Sequence, residues 1–364
     1  MNIDNHIDNH IDNHIDNHID NHIDNNISNI SIIINHSILD IKLPVILVDT
    51  SYWLYYRFFA LRKWYCRAYP ETQINNNFNI EHNWLEDKIF MDKYKKLFIE
   101  HIKKLCRKFK TKLINVVFCI DCPHKEIWRC QHTEEYKGTR LESHKKQKFN
   151  SFNIFSYIKK TILPILQTNY NIKIISCSRC EADDIIGNIA PYLINKGFSK
   201  VYILANDNDY LQICNSNIYL INGLGAIISN ELPLQNKFIG EKYLISKILI
   251  GDKSDNIKCC SIDMNFIKEN SINNNSISNN SISNNSISNN YKNIHKELLY
   301  KIINDDIKYN VFKNMLYEIR NTNTTISNII AGDKFKNNAL LMDFQMLPTE
   351  LKNELEIKFN NIIV

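Results

Sequence analysis

Five short apolar runs mark the first two-thirds of the chain: 44–49, 113–121, 172–176, 201–205 and 218–222. Most are separated by segments whose apolar positions recur at helical spacing. These predict an aromatic amphipathic helix from about Tyr52 to Tyr65, a long lysine-rich helix over about 86–109, a third over about 151–168 and a fourth opening at Glu181. Continuous apolar strands alternating with helices predict an α/β architecture with a mainly parallel sheet covered on both faces. In such sheets, ligands gather beyond the carboxyl ends of the strands.

Two stretches break the pattern. Residues 3–22 are five copies of Ile-Asp-Asn-His, and a degraded copy follows. Histidines four apart would align on a helix, but Asn, Asp and β-branched Ile disfavour an isolated helix. A disordered tandem expansion over 1–40 is therefore expected. A second insertion of Ser-Ile-Ser-Asn-Asn type, about 270–290, is read the same way. The chain holds 53 Asn and 61 Ile among 364 residues, a bias that points to an A+T-rich genome, so scattered Asn and Ile carry little meaning.

Charge sharpens the picture. The net charge of +5 hides an asymmetry: residues 1–40 carry seven Asp and no Lys or Arg, leaving 44 basic against 32 acidic residues in the remainder. A basic body suits a polyanionic partner, nucleic acid first. No apolar run reaches the ~18–20 residues of a membrane span, so a membrane role is not expected. Ten cysteines without a dense disulfide framework or a secretory signal lead us to expect a soluble protein in a reduced intracellular setting, cytoplasm or nucleus. Cys119/Cys122 and Cys177/Cys180 form two Cys-x-x-Cys pairs, too far apart in sequence for the usual zinc spacing.

The acids carry the chemistry. Asp49, Asp121 and Asp207 each fall at or just past the end of a predicted strand, and Asp209 lies two residues on. Glu181, Asp183 and Asp184 lie in the first turn of a helix, and Asp252 and Asp255 lie at a helix-to-loop boundary. Each has a plainer reading: strand-end turns, charges favoured by a helix N-terminus, caps. Those readings do not account for all of them falling on one edge. Packed carboxylates stay ionised together only with cations between them, and oxygen-only donors suit Mg²⁺ or Mn²⁺. Two such ions about 4 Å apart can hold a phosphodiester for hydrolysis.

The segments Leu47-Val-Asp49-Thr-Ser-Tyr-Trp-Leu-Tyr, Val116-Val-Phe-Cys-Ile-Asp121, Glu135-Tyr-Lys-Gly-Thr-Arg140, Glu181-Ala-Asp183-Asp184-Ile-Ile-Gly, Ile203-Leu-Ala-Asn-Asp207-Asn-Asp209 and Gly251-Asp-Lys-Ser-Asp-Asn256 resemble, in order, the 5′-nuclease superfamily. That superfamily includes flap endonucleases, the 5′-nuclease domains of bacterial DNA polymerases, and phage and large-virus 5′–3′ exonucleases. Asn338–Pro348 resembles the tail of the phage and viral branch, which makes a large DNA virus a plausible source.

The resemblance implies a PIN-like three-layer fold. It implies a catalytic domain over 41–250 with a helical arch over about 122–150, a diverged helix-hairpin-helix-type DNA-binding subdomain over 251–348, and a tail over 349–364. It implies Asp49, Asp121, Glu181 and Asp183 at one ion with Asp184 close beside them. Asp207, Asp209, Asp252 and Asp255 would serve a second ion, some through water. Lys137 and Arg140 would approach the scissile phosphate, while Arg129, Tyr136, Lys145, Lys146 and Lys148, with Trp128, would meet the nucleic acid. The cofactor is two Mg²⁺ ions, with Mn²⁺ able to substitute. The expected substrate is DNA with a 5′ flap, nick or free 5′ end, or an RNA–DNA hybrid, bound by a monomer. Two other readings are a nuclease-like module that holds branched DNA without cutting, and a PIN-type ribonuclease. One departure stands out: after Asn256 the family's glycine-rich hairpin is replaced by Ile257-Lys-Cys-Cys-Ser-Ile-Asp-Met264. Weaker duplex grip is expected, with the monovalent-ion site in doubt.

Overall fold

A computed structural model describes residues 38–70, 82–133, 136–138, 152–229, 238–269, 291–323 and 329–363. The repeat tail and the 270–290 insertion fall outside them. Five strands, β1 (Val45–Asp49), β2 (Val116–Ile120), β3 (Lys173–Ser176), β4 (Val201–Leu204) and β5 (Ile218–Ile221), form one all-parallel sheet in the order β3-β2-β1-β4-β5. The chain fills one side of β1 before crossing to the other. The topological switch therefore lies between β1 and β4, where Val48 pairs with Leu204. Such a switch opens a crevice at the carboxyl ends of the strands. The expectation of a PIN-like, mainly parallel α/β fold holds.

Strand periodicity explains why the apolar runs are continuous. Ile46, Val48, Val116 and Phe118 point to one face, where α1 (Thr50–Ala68), α2 (Lys88–Lys108) and the α3–α4 helix (Phe152–Tyr157 and Leu163–Tyr170) cover them. Val45, Leu47, Val117 and Cys119 point to the other, against α5 (Ala182–Asn195). Both faces are buried, so no polar alternation is left to read. A π-helical turn, Ile158–Ile162, joins α3 to α4. The run predicted as one strand over 113–121 divides into a 3₁₀ turn, Leu113–Asn115, and β2, because the buried Asn115 amide is used to tie Asp40, Leu43 and Pro44 together.

Packing joins segments that the chain order keeps apart. α6 (Gly240–Ile250) packs with α8 (Lys296–Ile303), α9 (Asp306–Thr322) and α10 (Lys334–Met342) in a separate core that includes Leu244, Ile248, Phe312 and Phe335. α6, which precedes 251, thus shares its core with the helices that follow 291. The segment expected to be a tail is α11 (Thr349–Ile363), whose Leu351, Leu355 and Phe359 return to the sheet core against α5. At the other end, the buried Leu39, within the expected 1–40 tail, donates its N–H to Ile362 O. Where a glycine hairpin was missed, the chain forms a turn closed by Asp252 and Ile257, with Asn256 left-handed at φ 62°. It then enters β6 (Ser261–Asp263), followed by α7 (Met264–Glu269). β6 pairs antiparallel with β7 (Tyr291–Asn293).

Candidate active site

The carboxyl edge gathers the acids because each is placed by a local device. Asp49 ends β1 and caps α1, its Oδ1 accepting from Tyr52 N at 2.9 Å. Asp121 follows β2; Ser51 donates its hydroxyl to Oδ2, and Ala182 N donates to Oδ1 at 2.8 Å. Glu181 and Asp184 close a reciprocal capping box that fixes the start of α5 and turns Asp183 toward the crevice. Asp207 caps the 3₁₀ turn after β4 through Asp209 N at 2.9 Å. Asp252 is held by Ser254 just past α6.

These residues line two adjoining cavities. An open cleft of about 410 Å³ is bordered by Asp49, Asp121, Lys137, Glu181, Asp183 and Asp207. A hollow of about 10 Å³ lies among Asp183, Asp209, Asp252 and Asp255. Asp183 borders both, and Asp207 falls with the first set rather than the second, where it was expected. Asp209, Asp252 and Asp255 each offer a carboxylate oxygen, all within 4.8 Å of one another. This all-oxygen donor set fits a hard divalent ion.

The electrostatics fit as well. Burial, with the Asp121 charge, lifts Asp49 from 3.8 to about 7. Burial and the Asp207 charge raise Asp183 well above the ordinary carboxylate value, and burial with Asp209 raises Asp207. Carboxylates this reluctant to ionise together call for cations. Asp252 is the exception: burial opposes it, but Lys247 and Ser254 hold it down at about 2. Lys247 pairs with Asp252 and lies 2.6 Å from Asp209 Oδ1.

Lys137 Nζ donates to Glu181 Oε1 at 2.6 Å, and Lys137 N donates to Asp255 O, so Lys137 ties the start of α5 to the turn after α6. Lys137 is left-handed at φ 54°. Glu181 is used by Lys137, by Tyr136 through its hydroxyl at 3.0 Å, and by Arg129. Despite burial, Lys137 and Arg129 keep it below the ordinary glutamate value.

Four expectations need correction. Arg129 was read as meeting nucleic acid, yet it is 2% exposed and reaches Asp184 at 2.7 Å, Glu181 at 3.3 Å and Leu341 O at 2.8 Å. Tyr136 and Trp128 are buried too, and the Trp128 indole donates to Asp184 at 3.2 Å. Asp184 lies close in sequence to the ion-facing acids, but it is fully buried and spent on Arg129, Trp128 and Glu181 N. The cause is shared: a helix start is stabilised by internal partners for one of two adjacent acids, and the aromatic and guanidinium groups supply them. Arg140, Lys145, Lys146 and Lys148 lie outside the described residues.

Sequence reading missed Tyr210, whose hydroxyl donates to Asp183 at 2.6 Å and lies 3.4 Å from Asp49. It also missed Ser51, Lys159 and Lys247. Lys159 extends from the π turn to Ser51 Oγ at 3.4 Å, and such turns often occur at functional sites. The only available signal was proximity: Tyr210 follows Asp209, and Lys247 precedes Asp252 by five.

A parallel sheet whose carboxyl edge is crowded with aspartates places this protein in the PIN-like class. The model of the 5′-3′ exonuclease N-terminal resolvase-like domain matches residues 44–244, more than half of the chain, which therefore belongs to that family. A 5′-3′ exonuclease of Buchnera aphidicola subsp. Baizongia pistaciae (strain Bp) is 38% identical over 104 residues, 28% of this chain and 34% of that protein. One from Buchnera aphidicola subsp. Schizaphis graminum (strain Sg) is 28% identical over 219 residues, 59% and 65% respectively. DNA polymerase I of Caldicellulosiruptor bescii is 27% identical over 225 residues, 59% of this chain and 22% of that one. The chain thus spans less than two-thirds of these relatives. Among solved structures, T5 5′-exonuclease with divalent zinc ions bound is similar over 88% of this chain and 99% of its own, at 13% identity and a TM-score of 0.49. No helix among the described residues is long and apolar enough to cross a membrane.

Proposed function

We propose that the chain is a divalent-metal-dependent, structure-selective 5′–3′ exonuclease and flap endonuclease, hydrolysing DNA phosphodiester bonds near 5′ flaps, nicks or free 5′ ends. The observation that carries this reading is the meeting of Asp49, Asp121, Asp183 and Asp207 in one cleft, beside Asp209, Asp252 and Asp255. Burial and neighbouring charge raise the proton affinities of Asp49, Asp183 and Asp207 among them. The relatives named 5′-3′ exonuclease support the direction of attack.

Those seven carboxylates, with Glu181 bordering the same cleft, would hold two Mg²⁺ ions, or Mn²⁺ in their place. Ions bound there would supply a water nucleophile at neutral pH and neutralise charge on the leaving oxygen. The protein's own groups prepare the site. The Tyr210 hydroxyl orients Asp183 toward Asp49, and Ser51 and the Ala182 amide fix both oxygens of Asp121. Glu181, kept ionised, holds the Lys137 ammonium at the cleft, where it stabilises negative charge developing on the phosphate. Arg140, Lys145, Lys146 and Lys148 would neutralise the backbone of an incoming single strand.

The test is cleavage of an end-labelled 5′-flap duplex with Mg²⁺ and then with EDTA. Product is expected only with the metal, and Asp183→Ala and Asp209→Ala are each expected to abolish it while the fold persists by circular dichroism. Full activity in either variant, or in EDTA, would refute the proposal. Tight flap binding with no product under any divalent ion would favour the binding-module reading.

A further inference from the structure

Two amide side chains outside the carboxylate set perform the same task on two acid-bearing elements. Asn188, on α5, places its Nδ2 2.8 Å from Asp184 O and 3.3 Å from Phe344 O. Gln212, at the end of the turn after β4, places its Nε2 3.0 Å from Asp209 O and 3.1 Å from Met342 O. Its Oε1 accepts from Phe344 N at 3.2 Å. Each amide therefore links a backbone group of an acid-bearing element to the same segment, Leu341–Phe344, which leaves α10 on its way to α11. Arg129 adds a third link through Leu341 O. The Phe344 ring lies over Gly187 on α5, where an added Cβ would sit 2.4 Å from the ring, and its centroid is 6.0 Å from that of Tyr210. Asp343 between them is buried and anchored to Arg320 of α9 at 2.7 Å.

We propose that Leu341–Phe344 is a positioning strap for the carboxylate site. Gln212 and Asn188 are its positioning residues, setting the separation between Asp183 on α5 and Asp209 on the β4 exit. This rests on the metal-site reading above. Neither amide touches the cleft. Their effect passes through backbone: a carboxamide can donate and accept at once, so Gln212 grips both an N–H and a C=O of the strap while holding Asp209 O. The strap also runs beside the small hollow, with Leu341 and Met342 lining it alongside Asp183 and Asp209. A shift of the strap would therefore change the spacing of the two acids that flank the hollow. Partners one step removed from a metal's ligands typically change its affinity or the activity by ~10–100-fold.

The test uses the full chain and Mn²⁺ itself. Mn²⁺ binding is measured by isothermal titration calorimetry for the parent, Gln212→Met and Asn188→Leu, beside thermal unfolding in EDTA and flap cleavage across a Mn²⁺ series. Gln212→Met keeps length and removes the amide. The strap predicts Mn²⁺ binding weakened at least tenfold at one site in each variant. Cleavage is lowered at limiting Mn²⁺ and recovered at high Mn²⁺, and unfolding in EDTA changes by only a few degrees. Should Gln212→Met not fold, Asn188→Ala, which drops one link alone, carries the same readout. Parent-like Mn²⁺ affinity in a folded variant overturns the strap, even if its melting temperature falls. A parent that neither binds Mn²⁺ nor cleaves overturns the metal-site reading instead.

Discussion

Lys247 Nζ lies 2.6 Å from Asp209 Oδ1 and also pairs with Asp252, so one ammonium sits between two of the three carboxylates best placed to share an ion. Its own proton affinity is raised: burial opposes this, and Asp209 with Tyr243 outweighs it. Lys247 is the counter-ion of this cluster, and a divalent ion bound as proposed would compete with it for the same oxygens. Lys247→Met should lose ~1–3 kcal/mol of stability in EDTA, the usual cost of stranding a partly buried charged partner. It should also show a larger stabilisation on adding Mn²⁺ than the parent. Urea unfolding with and without Mn²⁺ reads both. A smaller Mn²⁺ effect in the variant would show that Lys247 supports ion binding rather than competing with it.

The pH response follows from the raised carboxylates. An acid whose proton affinity is higher in the folded than in the unfolded chain favours folding at low pH, and its contribution declines as pH rises toward the folded value. For Asp49 that window runs from 3.8 to about 7, and Asp183 and Asp207 shift in the same direction. Asp252, held at about 2, works the other way. Its contribution is complete above 3.8 and is lost only as pH falls toward 2. In EDTA, the contribution of Asp49 should therefore fall between about pH 4 and 7, with Asp183 and Asp207 adding loss in the same direction, while saturating Mn²⁺ should remove much of that loss. Apparent Mn²⁺ affinity should climb across the same interval as protons leave the site. Urea midpoints at several pH values, with EDTA and with Mn²⁺, check both; an affinity flat in pH would contradict the assignment.

Arg129 and Lys137 look interchangeable as basic residues near one glutamate, yet their surroundings assign them different tasks. Arg129 is sealed between Glu181, Asp184 and Leu341 O, so Arg129→Met strands buried carboxylates and should cost about 3–5 kcal/mol. Lys137 borders the open cleft, and Lys137→Ala should lower the cleavage rate by ~10²–10³-fold, as loss of a charge-stabilising donor does. Flap affinity in Lys137→Ala, measured by fluorescence anisotropy in Ca²⁺, should change far less than the rate. A parallel loss of affinity and rate would make Lys137 a binding group instead.

The contrast marks what sequence can carry. The strands were legible because a parallel sheet buried on both faces leaves uninterrupted apolar runs, and the acids beyond them because each ends its run. Asp183 and Asp184 could not be separated: they are neighbours in sequence, and only the capping box turns one outward and the other into the core. The burial of Arg129 depends on Leu341, 212 residues away, and no local spacing reports that contact. The partners of α6 were hidden for the same reason, since its apolar face packs against α8, α9 and α10, which lie far along the chain. Tyr210 is a core aromatic except for the hydroxyl that meets Asp183, and no local pattern marks that hydroxyl.

Gly187 offers a direct probe of the contact between α5 and the Leu341–Phe344 segment. In an open helix, glycine to alanine would gain ~1 kcal/mol from propensity. Here the new Cβ would come within 2.4 Å of the Phe344 ring and 2.7 Å of its Cβ, and neither belongs to the free end of a flexible chain. Overpacking of this kind costs ~1–3 kcal/mol, so Gly187→Ala should be destabilising overall in urea. Trimming the obstructing ring tests the cause. Phe344→Ala alone opens a cavity and is destabilising, but in the Gly187→Ala background the added methyl has room. The double variant should then be more stable than the sum of the two single losses by more than ~0.5 kcal/mol, the coupling expected of residues in contact. Simple additivity would mean that Phe344 yields freely and that α5 does not feel the segment through this contact.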